Sequence, residues 1–191
     1  MLKKRTTLIL GAGASAPYGY PVGVGLRNAL LENASGFDSV IADIGMHAND
    51  WKELQRLVQV FQRPSIDEFL AKYGERSQLV KVAIAHRLNR HESMDQHTSP
   101  QNSDCWYLRL LDEYLSNDPA LGRGLLTVVT FNYDLSLEAY MFETIKVRHE
   151  LTDEEARATV KALDVQHVYG HLGPLQSVHG AGRPYGPWVD Q

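Results

Sequence analysis

Three short stretches of this chain carry residue types that do chemistry. The first, Gly11-Ala12-Gly13-Ala14-Ser15-Ala16, has the G-x-G-x-x-G/A form and directly follows the apolar run Thr7-Leu8-Ile9-Leu10. Glycines at such a turn let a diphosphate approach the main chain, and free amides at the start of a following helix point at its negative charge. No Gly-Lys-Ser/Thr follows, which argues against a kinase-type P-loop. The second stretch, Thr130-Phe131-Asn132-Tyr133-Asp134, sets an amide and a carboxylate at the end of Leu125-Leu126-Thr127-Val128-Val129. Open α/β sheets hold their ligands at such strand ends, although an Asn-x-Asp there also suits the cap of the next helix. The third, His167-Val168-Tyr169-Gly170-His171, supplies two imidazoles that could move a proton or simply hold structure. His167, His171 and His179 also suggest a metal site, but no cysteine or second-shell pattern accompanies them. The single cysteine, Cys105, reads as a small buried hydrophobe beside Trp106 rather than as a nucleophile.

These residues need elements to position them. Thr7–Leu10, Leu125–Thr130 and Val165–Tyr169 read as short buried strands, the second a near-continuous apolar run expected of a parallel strand covered on both faces. Between the first two, helical spacing recurs. Leu26–Leu31 suits a helix packed on the sheet, and Leu54, Leu57, Val58 and Phe61 suit another that stops at Pro64. Ser65-Ile66-Asp67-Glu68 has capping-box form and opens a helix carrying Phe69, Leu70 and Tyr73 inward. A helix over 79–90 buries Leu79, Val80, Ala83, Ile84 and Leu88 and places Lys81, Arg87 and Arg90 on a solvated face. Ser39-Val40-Ile41-Ala42 fits a strand or a helix end equally. His91–Asp104 has almost no apolar residue and reads as an exposed loop. Trp106, Leu110 and Tyr114 mark an amphipathic helix, Leu135–Ile145 another, and Thr152-Asp153-Glu154-Glu155 a second capping box opening a helix through Leu163. The expected fold is therefore α/β, a Rossmann-like parallel sheet with a helical insertion at about 50–120, in one domain.

Composition narrows the partners. The 191 residues suffice for one sizeable core, and a net charge of -4 gives no bulk attraction to nucleic acid. One cysteine excludes a disulfide framework and a zinc ribbon and fits a reducing compartment. Lys3-Lys4-Arg5 and the apolar residues after it imitate a secretory signal, yet two glycines break the run and the same residues make the first strand; the expected place is the cytoplasm. No run approaches the roughly 18 apolar residues of a membrane span. A dehydrogenase would want an acid about 20 positions beyond the glycine turn at the end of a second strand. Glu32, Asp38 and Asp43 meet that requirement only loosely, which disfavours an NAD(P)-dependent oxidoreductase.

The Gly-Ala-Gly-x-Ser turn and the Thr-x-Asn-x-Asp strand end together resemble the sirtuin-like family. Thr-Phe-Asn-Tyr-Asp followed by Leu137-Glu138, with Ser65–Leu70, is particularly similar to prokaryotic sirtuin-like proteins of antiphage defence. The resemblance spans residue 7 to about 173. It implies NAD as substrate, with Ala12, Gly13 and Ser15 lining its phosphates, Gly11, Ala14 and Pro21 completing the cofactor-binding set, Asn132 on the nicotinamide-side ribose and Asp134 facing the nicotinamide amide. Sirtuins carry a catalytic His-Gly after the next strand. Aligning on Gly170 puts Tyr169 in that place, so the catalytic histidine is His171, His167 or absent, with His171 favoured because it follows the strand end. The missing zinc-ribbon cysteines argue against the peptide deacylase branch, no zinc is expected, and the short stretch after Gly170 reads as a truncated catalytic domain. The implied activity is cleavage of the nicotinamide–ribose bond, controlled by self-assembly or by a defence-system partner. A catalytically silent module sensing NAD or ADP-ribose is the alternative.

Overall fold

The computed structural model describes residues 4–32, 37–61, 66–73, 77–98, 105–115 and 125–187. The chain divides into two compact units, one built from residues 1–20 and 92–187 and the other from 21–91. Strand β1 (Thr6–Leu10) opens the first unit.

The second unit is helical: α1 (Val24–Leu31), α2 (Phe37–Asp43), α3 (Ala48–Phe61), α4 (Ile66–Lys72) and α5 (Ser77–Asn89). Trp51, Leu54 and Val58 of α3 recur at helical spacing and are buried, with Phe37 of α2 edge-on to Trp51 at 4.7 Å between centroids. The ambiguous run at 39–42 is thus helical, and no strand carries Asp38 or Asp43. Ile66 and Phe69 of α4 are buried, while Leu70 and Tyr73 are half-buried; Ser65, the first residue of the expected capping box, lies outside the described residues. Arg87 departs from the expected solvated face. It is buried, lies 5.8 Å from the Phe37 ring and donates to the Glu32 carbonyl just past the end of α1. A long cationic side chain can bury its stem and satisfy a carbonyl left open at a helix end, a use that periodicity does not disclose.

The first unit continues with α6 (Met94–Thr98), α7 (Trp106–Leu115), β2 (Leu126–Thr130), α8 (Ser136–Arg148), α9 (Asp153–Lys161), β3 (Val165–His167) and α10 (Gln176–His179). The side chain of Tyr114 lies outside the described residues. The sheet is three-stranded and parallel in the order β1-β2-β3, with Leu10 opposite Thr130 and Thr130 opposite His167. This register brings the carboxyl ends of all three strands to one edge, where the chain leaves the sheet at Gly11, Phe131 and Val168. The architecture is α/β. Strand β2 alternates buried and half-buried residues instead of being covered on both faces, and Ile9, Phe131 and Val168 remain exposed. Helix α8 is buried from Ser136 through Phe142 and again at Ile145, and α9 starts on a complete capping box in which Thr152 and Glu155 satisfy each other's main-chain amides.

Residues 91–98 correct the expected exposed loop, whose remainder at 99–104 lies outside the described residues. Glu92 is fully buried and His97 nearly so. The Arg183 guanidinium grips both Glu92 oxygens at 2.5 Å, and the Gly186 amide adds a third bond at 3.2 Å. His97 Nε2 meets the Tyr185 hydroxyl at 2.7 Å, while its buried Nδ1 finds no partner among the described residues. Polar side chains are buried here because partners some 90 positions later compensate them. Burial lowers the His97 pKa to about 4. The unfolded chain therefore takes up a proton on this residue at a higher pH than the folded one. Folding stability is expected to fall as pH drops from about 6.5 toward 4, and His97→Phe should reduce that slope, as measured by denaturant unfolding at pH 7 and pH 5.

Candidate functional site

Past Leu10 the chain makes two consecutive single-turn 3-10 helices, Ala12–Ala14 and Ala16–Tyr18, held by Ala14 N–H to the Gly11 carbonyl at 2.8 Å and Tyr18 N–H to the Ser15 carbonyl at 3.0 Å. The expected helix directly after the glycine turn is replaced by these short turns, so no long helix dipole stands behind it. The amides of Gly11, Ala12 and Gly13 have no partner among the described residues. Gly11 sits in extended backbone, and a Cβ added at Gly11 or Gly13 would meet nothing within 4 Å. Neither backbone strain nor internal crowding accounts for these glycines. Helix α7 steadies the turn from behind: Trp106 Nε1 donates to the Ala14 carbonyl at 2.8 Å, and Tyr107 stacks on the fully buried Tyr18 at 3.9 Å.

Ser15 joins this turn to the end of β2. Its hydroxyl donates to Asp134 Oδ2 at 2.8 Å and accepts from Asn132 Nδ2 at 2.9 Å. On the other side, Asp134 Oδ1 accepts from the Ser136 amide at 3.2 Å and from the Ser136 hydroxyl, which itself contacts the Tyr107 hydroxyl at 2.6 Å. Two donor chains thus converge on one buried carboxylate, Asn132 to Ser15 to Asp134 and Tyr107 to Ser136 to Asp134. Burial pushes the Asp134 pKa above its usual value, and its bonds from Ser136 and Ser15 oppose that rise. Because Ser15 gives its proton to Asp134, it must accept from Asn132, which turns Nδ2 of Asn132 toward Ser15 and leaves Oδ1 for another partner. Asp134 also serves the start of α8 by accepting the Ser136 amide, so the helix-capping use of this Asn-x-Asp is present beside the link to the turn.

The two histidine candidates differ in kind. His167 and Glu138 are almost wholly buried, with side-chain exposures of 7% and 8%. His167 Nε2 meets Glu138 Oε1 at 2.7 Å and Nδ1 meets the Asn132 carbonyl at 2.8 Å. Burial works to lower the His167 pKa, but Glu138 and the Asn132 carbonyl outweigh it and raise the value. His171 follows Gly170, whose φ of +84° turns the chain away from β3, and it is exposed. Leu172 N–H binds the Tyr133 carbonyl at 2.9 Å, tying this loop to the end of β2. His171 Nδ1 accepts the Gly173 amide at 3.1 Å, so the neutral ring carries its proton on Nε2. Burial and the neighbouring His167 lower its pKa, which favours the neutral form.

The structure therefore brings Ser15, Asn132 and Asp134 into direct contact, with Gly11, Ala12, Gly13 and Ala14 in the adjoining turn. A recess at the strand ends is lined by Ala14, Ser15, Asn132, Asp134, Glu138 and His167. Pro21 belongs to the helical unit. Cys105 is half-buried, and its Sγ accepts from the Tyr18 hydroxyl at 3.7 Å. From sequence, Trp106 stood only in an amphipathic stripe and Glu138 only in a motif, while Ser136 and Tyr107 had no role; the bonds their polar atoms make across elements are what place them at the site. His171 and His179 stack at 6.2 Å, but among the described residues no group of three or more His, Cys, Asp or Glu is arranged to hold a metal ion. Among the same residues no helix is long and apolar enough to cross a membrane. No protein-family model, curated protein or solved structure matches this chain.

Proposed function

We propose that this protein binds NAD at the Gly11–Ser15 turn and cleaves its nicotinamide–ribose bond, as the antiphage sirtuin-like enzymes it resembles do. The observation that carries the reading is a juxtaposition. A turn with two glycines facing open space and three amides that have no partner among the described residues is bonded through Ser15 to an asparagine whose Oδ1 is left available. Unpartnered amides at a strand end suit a diphosphate, and the open space at the glycines lets it approach the chain. The sheet then corresponds to part of a Rossmann-like fold, with the ligand at the carboxyl ends of its strands.

In this reading Asn132 Oδ1 accepts a hydrogen bond from a ribose hydroxyl or from the attacking water. The bond between the ribose anomeric carbon and the nicotinamide ring nitrogen breaks, and its electron pair neutralises the pyridinium. The anomeric carbon gains oxocarbenium character until the water oxygen bonds to it, giving nicotinamide and ADP-ribose; attack by a hydroxyl of the same molecule gives a cyclised product. The water's proton goes to His171, neutral by its lowered pKa, once its Nδ1 exchanges the Gly173 amide for that proton or its ring turns. Both Asp134 oxygens are already taken, so its contribution is to fix Ser15 and through it Asn132; contact with the carboxamide would require displacing a serine. Depletion of cytoplasmic NAD in response to infection, gated by self-assembly or a partner protein, is the cellular role that the resemblance implies.

One observation favours a second reading, a silent NAD- or ADP-ribose-binding module: both nitrogens of His167 are engaged, and His171 presents an N–H rather than a lone pair. Nothing comparable supports an oxidoreductase, since residues 39–42 form no strand and Glu32 only ends α1. Incubation of the purified protein with NAD separates the three. Nicotinamide release marks hydrolysis, binding without turnover marks the module, and an absorbance change with a reducible substrate marks hydride transfer.

A further inference from the structure

His167 is buried where a base would have to be free, and its partners define a different task. Four groups act on the ring: Glu138 from α8 at 2.7 Å, the Asn132 carbonyl beyond β2 at 2.8 Å, the charge of Asp134, and the His171 ring 5.3 Å away on the loop after β3. A carbonyl only accepts a hydrogen bond, and so does an ionised carboxylate. A neutral imidazole has a single N–H and can satisfy only one of them, whereas the doubly protonated ring satisfies both. Of the two carboxylates nearby, Asp134 is occupied by serine donors, so Glu138 is the one that neutralises the ring.

We propose that Glu138 and His167 form a buried ion pair that positions Asn132: the imidazolium clamps the Asn132 carbonyl from one side while Ser15 holds the Asn132 amide from the other. The main chain and the side chain of Asn132 are then fixed independently, and Oδ1 is aimed without help from a ligand. Such a pair acts through Asn132 and needs no contact with substrate. Its consequence for ligand affinity rests on the reading of Asn132 as the ligand-facing residue; the protonation state of the ring does not. Raising the pH through the His167 titration removes its second proton, and the one that remains stays with the charged Glu138, so the Asn132 carbonyl is released, Asn132 loosens and affinity falls.

The test is a pH titration of the intact protein by 15N–1H spectroscopy of its imidazoles and of the Asn132 side-chain amide, with calorimetric titration of NAD alongside. In the wild type, both His167 nitrogens are expected to carry protons at pH 7, and the Asn132 amide signals to move together with the His167 titration. NAD affinity should drop about tenfold across that titration. In Glu138→Gln, which keeps an acceptor but removes the charge, the titration should shift down by at least about one pH unit and NAD should bind about tenfold more weakly at pH 7. A His167 that is neutral at pH 7 in the wild type overturns the ion pair. Asn132 amide signals that ignore the His167 titration overturn the positioning role, a result readable from the wild type alone even if the variant does not fold. Wild-type protein that shows the coupled titration yet never binds NAD supports the pair and sinks the NAD reading instead.

Discussion

Asn132→Ala is expected to lower nicotinamide release from NAD at least about a hundredfold, a loss of roughly 2.7 kcal/mol of transition-state stabilisation. The magnitude follows from the place of Asn132 Oδ1. It is fixed by two constraints before the ligand arrives, and a preorganised polar group beside developing charge contributes far more than the same group in water. Stability should change little. The substitution deletes the bond from Asn132 Nδ2 to Ser15, worth about 1 kcal/mol, while Ser15 keeps its bond to Asp134 and the main-chain contact to His167 survives. A stopped assay for nicotinamide and a thermal melt of the same preparation check both halves. A variant that turns over NAD at the parent rate removes Asn132 from the chemistry, and one that melts far below the parent makes its role structural.

Gly13→Val is expected to weaken NAD binding more than about tenfold and to leave the fold intact, because a branched side chain takes the space through which a diphosphate would approach. The structure separates these effects. A Cβ at residue 13 meets no protein atom within 4 Å, so the cost in the free protein is small, and what the side chain obstructs is the ligand. Calorimetric titration of NAD into the parent and the variant, with unfolding curves as control, reads the difference. Equal affinities would take the glycine turn out of the site.

What the sequence disclosed and what it concealed divide along physical lines. The stripe Trp51, Leu54 and Val58 and the Thr152–Glu155 capping box rest on spacing and interactions within a few residues, and local pattern reports those directly; the three strands were legible as short apolar runs, although their pairing joins segments far apart in sequence. Motif placement put the glycine turn near Asn132 and Asp134, because parallel strands in register deliver their carboxyl ends to one edge, but it did not disclose that Ser15 bonds directly to both Asn132 and Asp134. Other features depend on partners that no local window contains. Glu92 and His97 look like loop residues until Arg183 and Tyr185 return to them, and Arg87 looks like solvated charge until Glu32 presents its carbonyl. Residues 39–42 are equally apolar as strand or helix, and tertiary packing of Phe37 and Ile41 decides for the helix. Glu138 was visible only as part of a motif, since nothing in its spacing announces a histidine 29 positions later.

The central claim, that the glycine turn and Asn132 together bind and split NAD, meets its most direct test in one incubation. The purified protein, alone and with its natural partners, is mixed with NAD and the products are separated by chromatography. The expected result is nicotinamide appearing with ADP-ribose or its cyclised form, and its loss in Asn132→Ala. NAD that is bound but recovered unchanged under both conditions would contradict the claim and leave a binding module in its place.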